Sequence, residues 1–211
     1  MSTPTRAVIF DVGNVLLRWD ARLLFRTILP DEAAIDAFLD ETGFHDWNLA
    51  LDAGLDWDEG VAAHAARHPR HAAALRAFHE RWHETLSGTI DGSVAILDEL
   101  AAAGVPLYAI TNYSAAKWAE TLPRFPFLAT SFRDTVVSGH EGVTKPDPAI
   151  YRLLLARNGL DPAACIFIDD NQANVAGAAA LGIDAILFTT PEALRDALAA
   201  RGLLTPRAQT A

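Results

Sequence analysis

Four short apolar runs, each ending on a polar or acidic tip, constrain the fold of this chain more than any other feature. The first, residues 6–10, runs straight into Asp11, and runs of the same kind return at 105–110, 165–168 and 185–188. A continuous apolar segment of this length is the pattern of a strand buried on both faces. Helical patterns lie between the runs. Residues 91–103 stop at Gly104, 146–157 near Asn158-Gly159, 173–181 at Gly182, and 191–200 just before Gly202. Glycine past the last turn takes the left-handed conformation that closes a helix. Strands alternating with such helices predict an α/β fold, a doubly wound parallel sheet covered on both faces.

Residues 15–88 break this rhythm. They hold six of the seven histidines and four of the five tryptophans, show no convincing strand, and carry the spacing of several amphipathic helices. The expected organisation is a Rossmann-like catalytic core from 1–14 and 89–211, with 15–88 inserted as an all-helical cap. Ligands in open α/β sheets bind outside the carboxyl ends of the strands. An insertion leaving the end of the first strand therefore hangs over the site.

Charge narrows the partners. Acids outnumber bases 27 to 17, and ten of those acids fall between Thr27 and Ala66, where there is no Lys or Arg. Such a chain repels nucleic acid and anionic lipid. No run of 18 apolar residues offers a membrane span, and the opening Met-Ser-Thr-Pro-Thr-Arg has no long apolar signal segment. Cys165, the one cysteine, lies in an apolar run and reads as a core residue. A cytoplasmic protein, monomer or homodimer, is expected.

The strand tips carry the chemistry. Asp11 is followed by Val12-Gly13-Asn14, the second run by Thr111-Asn112-Tyr113-Ser114, a later stretch by Thr144-Lys145-Pro146, and the third run by Asp169-Asp170-Asn171 with Asn174 beyond. A carboxylate can act as a nucleophile. Further carboxylates with a backbone carbonyl make a hard oxygen site suited to Mg²⁺. A hydroxyl, an amide and a lysine can hold the oxygens of a transferring phosphoryl group. The chain uses Lys only twice against 15 Arg, so Lys145 is not its default cation.

In this order the tips resemble the haloacid dehalogenase superfamily of aspartate-nucleophile hydrolases, across essentially the whole chain. Ile9-Phe10-Asp11-Val12-Gly13-Asn14-Val15-Leu16 looks like its first motif, Ile110-Thr111-Asn112 the second, Lys145-Pro146 the third, and Phe167-Ile168-Asp169-Asp170-Asn171 the fourth. The resemblance implies Asp11 as nucleophile and Lys145 as the neutralising cation. It implies Thr111, Asn112, Gly13 and Asn14 around a phosphorylated small-molecule substrate. Mg²⁺ would be held by Asp11, the Gly13 carbonyl and Asp170, with Asp169 and Asn174 in support. The Asp-x-Gly-Asn-Val form looks most similar to bacterial sugar-phosphate phosphatases of the α-D-glucose-1-phosphate type.

One departure matters. Most phosphatases of the superfamily carry a second Asp two residues after the nucleophile, as acid for the leaving group; here Gly13 stands there and offers no proton. His45, Asp46 or Glu41 from the cap are the substitutes considered, with a catalytically silent phosphate binder as a further reading. A metal-independent 2-haloacid dehalogenase is the alternative enzyme, but those enzymes use an early-cap Arg and lack the acidic pair. This chain has no Arg between Arg26 and Arg67, and has Asp169-Asp170.

Other patterns read more plainly. His79-Glu80-Arg81-Trp82-His83 matches the H-E-x-x-H zinc motif, but a cap helix with Trp82 packed inward is the simpler expectation. His64, His68 and His71 read as a surface face or a metal patch. Arg18, Arg22 and Arg26 read as a stripe pairing with cap acids, with phosphate capture as the alternative. Trp19, Trp47 and Trp57 are expected in the cap core.

Overall fold

The computed structural model describes residues 6–205. The chain runs through β1 (Ala7–Phe10), β2 (Leu17–Trp19), α1 (Ala21–Phe25), α2 (Glu32–Thr42), α3 (Phe44–Asp52), α4 (Trp57–Arg67) and α5 (Ala72–Glu80). It continues with β3 (Leu86–Thr89), α6 (Asp91–Ala102), β4 (Leu107–Thr111), α7 (Ala115–Thr121), α8 (Phe127–Thr130), β5 (Asp134–Val137) and α9 (Ser138–Glu141). It closes with α10 (Pro148–Asn158), β6 (Cys165–Asp169), α11 (Gln172–Ala179), β7 (Asp184–Leu187) and α12 (Pro191–Ala200).

Five strands form a parallel sheet in the order β5-β4-β1-β6-β7, with β1 at its centre. The alternation of a strand's side chains explains why β1 has no polar residue. Val8 and Phe10 point into one apolar layer with Leu97 and Leu100 of α6 and Leu194 and Leu198 of α12. Ala7 and Ile9 point into the other, with Ile150, Tyr151 and Leu154 of α10 and Ala178 of α11. Both faces are covered, as the continuous apolar runs predict. The strand order reverses beside β1, which places a crevice above the carboxyl ends of β1, β4 and β6.

Residues 15–88 are mostly helical, but not entirely. Leu17–Trp19 and Leu86–Thr89 pair antiparallel, Leu17 facing Thr89 and Arg18 facing Gly88, so the insertion leaves and returns on a two-stranded stem. The expectation of no strand in this region is corrected. These strands are three and four residues long and are partnered across the whole insertion, so neither shows a readable period. Within the insertion, Phe25, Phe38, Phe44 and Phe78 pack ring on ring with centroids 4.6–6.0 Å apart. Burying each ring stabilises by about 1.5–3 kcal/mol. Trp47 joins this cluster, and Trp57 packs on Phe78.

The acid-rich stretch has local work to do. Asp31 and Asp56 accept from Ala34 N and Glu59 N as N-caps of α2 and α4. Glu32 and Asp36 pair with Arg22, Glu32 also with Arg26, and Glu41 with Arg70 and His71. Among the described residues no helix is long and apolar enough to cross a membrane.

Candidate active site

Asp11 follows the last residue of β1, and its backbone N–H donates to Ile168 O at 2.8 Å, holding the tip against the end of β6. Val12 N donates to Asp11 Oδ1 at 2.7 Å. Lys145 comes from the loop between α9 and α10, and Asn112 fixes that loop. The Asn112 side chain donates to Lys145 O at 3.0 Å and accepts from Lys145 N at 2.8 Å. Lys145 Nζ then lies 2.7 Å from both Asp11 Oδ1 and Asp169 Oδ2. Asp169 is held in turn by Asn174 Nδ2, at 3.0 and 3.1 Å from its two oxygens, and by Asn171 N at 2.8 Å. Asp11, Asp169, Asn174 and Lys145 are all buried, and Asp170 is exposed beside them.

Carboxylate oxygens of Asp11, Asp169 and Asp170 lie within 4.8 Å of one another. Three carboxylates surround one ammonium, so the cluster carries excess negative charge. Burial, and behind it the neighbouring Asp169 and Asp170, pushes Asp11 well above the carboxylate range despite Lys145. Asp170 is raised too, by partial desolvation of its carboxyl against the cluster and then by Asp169. Burial alone would lower Lys145; Asp11 and Asp169 override it and keep the ammonium charged. An all-oxygen, electrostatically unfinished donor set fits a hard divalent cation. Among the described residues it is the one group of three or more His, Cys, Asp or Glu arranged to hold one.

Above the cluster opens a cavity of about 300 Å³. Gly13, Asn14, Asn112, Lys145, Asp170 and Asn174 line its floor, so these expected site residues share one space. Thr111 is buried at the end of β4 and does not reach that lining. Asn14 takes a left-handed conformation (φ 53°), tightens the turn into β2, and accepts from Trp19 N at 3.0 Å. A Cβ built on Gly13 meets nothing within 4 Å.

The roof comes from the insertion and the stem: Leu17, Trp19, His45, Asn48, Leu49, Asp52, Trp82 and Leu86. Of the proposed stand-ins for the missing acid, His45 lines the cavity. Glu41 is occupied by Arg70 and His71, and Asp46 is exposed and outside the lining. Asp52 does line it and escaped the sequence reading, because it sits in a run of acids that reads as a solvated face.

The remaining patterns resolve structurally. α5 ends at Glu80, so His83 lies in the next turn and not one helical turn from His79, and His79 Nε2 meets Asp58 at 3.0 Å. His64 is buried and stacked on Trp47 with centroids 4.6 Å apart, which corrects its reading as a surface residue. Arg22 and Arg26 pair with acids, as expected of the stripe, whereas Arg18 donates to the backbone carbonyl of Thr89. Trp47 and Trp57 are core, whereas Trp19 faces the cavity.

A family model of haloacid dehalogenase-like hydrolases matches residues 5–182. The chain is 26% identical to a sesquiterpene phosphatase of Aspergillus oryzae over 189 residues, 90% of this chain and 92% of that one. It is 32% identical to a flavin mononucleotide hydrolase of Arabidopsis thaliana over 114 residues, 54% of this chain and 46% of that protein. The chain spans less than half the length of several curated relatives it matches. A HAD family enzyme from Bacteroides thetaiotaomicron, solved with magnesium and inorganic phosphate, superposes with a TM-score of 0.71 at 19% identity, covering 88% of this chain and 94% of that one. At that identity the likeness concerns the fold.

Proposed function

The chain belongs to the haloacid dehalogenase-like hydrolases, and from that premise we propose that it is a magnesium-dependent phosphomonoesterase working through an aspartyl-phosphate on Asp11. The observation that carries this reading is Lys145 Nζ bridging Asp11 and Asp169 at 2.7 Å beside a third carboxylate, Asp170. A site with this much negative charge invites a cation and a cation-bound phosphate. It would repel the free carboxylate of a 2-haloacid, which weighs against dehalogenation.

In this reading Asp11, Asp170 and the Gly13 carbonyl would hold Mg²⁺, with Asp169 and Asn174 in support. The ion supplies charge neutralisation for the phosphoryl oxygens. Asp11 attacks phosphorus, the bond to the ester oxygen breaks, and water then hydrolyses the acyl phosphate. Lys145 stabilises the charge that shifts between the carboxylate and the phosphoryl group. Asn112 acts first as a clamp on Lys145, since its side chain already binds that residue's main chain at both ends.

Residues 15–88 serve as the cap that selects the leaving group. Trp19, Trp82, Leu49 and Leu86 beside His45, Asn48 and Asp52 give a roof with both apolar and polar parts. That mixture suits an alcohol with a flat apolar face and several hydroxyls, such as a sugar phosphate, including the glucose-1-phosphate type.

The test is hydrolysis of p-nitrophenyl phosphate with Mg²⁺ and with EDTA. Turnover is expected only with Mg²⁺, and Asp11→Asn should lose on the order of 10⁴–10⁶-fold in kcat while its circular dichroism is unchanged. Substantial residual turnover in that variant would sink the mechanism. Chloride release from 2-haloacids in its place would establish the dehalogenase.

A further inference from the structure

Cleaving an alkyl phosphate expels an alkoxide, which needs a proton as it leaves. Asp11, Lys145, Asp169 and Asp170 are committed to phosphoryl transfer and charge, and Gly13 has no proton to give. The donor must therefore be sought elsewhere on the cavity wall. Asp52 is the last residue of α3 and lines the cavity from the side of the insertion.

Its placement is over-determined. Asn48 Nδ2 donates to Asp52 Oδ2 at 3.0 Å, and the Ser114 backbone N–H also binds the carboxyl. Ser138 Oγ donates to the Asp52 carbonyl at 2.6 Å and accepts from Tyr113 N at 2.8 Å. Two residues on, Gly54 takes φ +102° and passes so close to Gly139 that a Cβ would lie 3.3 Å from its carbonyl oxygen. The carboxyl of a cap helix is thus fixed against the core segment that follows Asn112. It lines the same cavity as Lys145 and Asp170, the members of the charged cluster that reach that lining.

We infer that Asp52 is the general acid, donating its proton to the ester oxygen as the P–O bond breaks and regaining one from bulk solvent before the next turnover. Protons balance over the cycle: one passes from Asp52 to the departing alcohol, and the water that opens the aspartyl-phosphate releases one to solvent, from which Asp52 is reprotonated. The inference rests on the phosphomonoesterase reading. Burial outweighs the hydrogen bonds from Ser114 and Asn48 and lifts the Asp52 carboxyl to about 8, so it holds its proton at neutral pH. The other titratable groups around it are His45 on its own helix, Tyr113 beside Ser114, Lys145 and Asp170 in the same cavity, and His140 and Glu141 on α9.

The experiment compares wild type with Asp52→Asn on two substrates. One is p-nitrophenyl phosphate, whose leaving group departs without a proton. The other is the fastest alkyl ester from a panel of sugar and polyol phosphates. The variant should keep p-nitrophenyl phosphate turnover within about threefold, while alkyl kcat falls by about 10²–10⁴-fold. Wild-type alkyl kcat should also decline as pH rises through about 8, where Asp52 deprotonates, and that limb should vanish in the variant. Retained turnover of the aryl ester reports a folded site. Equal losses on both esters, a change in KM alone, or a wild type that cleaves only the aryl ester would each overturn the assignment. A wild type inert toward both esters would instead overturn the phosphomonoesterase reading on which it stands.

Discussion

Position 13 separates this chain from the pattern it otherwise follows, and the local structure gives no steric reason for glycine there. Gly13 is not among the glycines of positive φ, and a Cβ would stand in open space. A side chain is therefore admissible, and an Asp at 13 would enter the same cavity that Asp52 enters from above. In an Asp52→Asn background, Gly13→Asp is expected to recover at least tenfold of the lost alkyl phosphate kcat, since a positioned acid contributes about 10²–10⁴-fold. Turnover of p-nitrophenyl phosphate should change little. If the double variant is as slow on alkyl esters as the single, the two positions do not serve the same oxygen.

At the scale of elements, the insertion must stay seated for its residues to act on the core. Four polar contacts seat it: Trp57 Nε1 on Ser114 Oγ at 2.8 Å, Lys117 Nζ on His79 O at 3.0 Å, Ser138 Oγ on Asp52 O, and Ser114 N on the Asp52 carboxyl. Trp57 opens α4 directly after the turn carrying Asp52, so loosening it frees the end of α3. Trp57→Phe removes that hydrogen bond, leaving Ser114 Oγ its cap bond from Lys117 N, and should cost about 0.5–1.5 kcal/mol in urea unfolding. KM for alkyl esters should rise severalfold, while the aryl ester is less affected. An unchanged KM would mean that the contact holds the fold but not the roof. The same elements show what sequence can tell. The double-sided burial of β1, β4 and β6 is written into their apolar runs, and their tips were found by following those runs to their ends. β2 and β3 were invisible because each is shorter than one readable period and its partner lies beyond the insertion. Asp11, Lys145, Asp169 and Asp170 were legible because acids and a rare lysine stand where buried strands stop. Asp52 was not, because its surroundings, and not its neighbours in sequence, make it unlike the nine other acids between Thr27 and Ala66. Nor did the sequence say that Asn112 would clamp Lys145, a contact made across 33 residues.

For the whole molecule, the carboxylate cluster is a point of strain that a cation relieves. Three carboxylates sit around one buried ammonium, and both Asp11 and Asp170 are pushed up by desolvation and by the Asp169 carboxylate beside them. An ion that binds only the folded chain stabilises it by about 2.7 kcal/mol at a hundred times its Kd. For a chain of this size each kcal/mol moves Tm by roughly 2–4 °C, so saturating Mg²⁺ should raise Tm by about 5–10 °C. Asp170→Asn makes the argument discriminating, because the two states respond with opposite sign. Without metal the variant loses a repulsive charge and should melt at or slightly above wild type. With metal it lacks a ligand, and most of the Mg²⁺ shift should disappear. A net charge of −10 means that any divalent ion also screens the surface, but screening acts on both proteins alike. Differential scanning calorimetry of the pair at matched ionic strength therefore separates the two causes. Equal shifts in wild type and variant would assign the effect to the acidic surface and take the cation away from the strand tips.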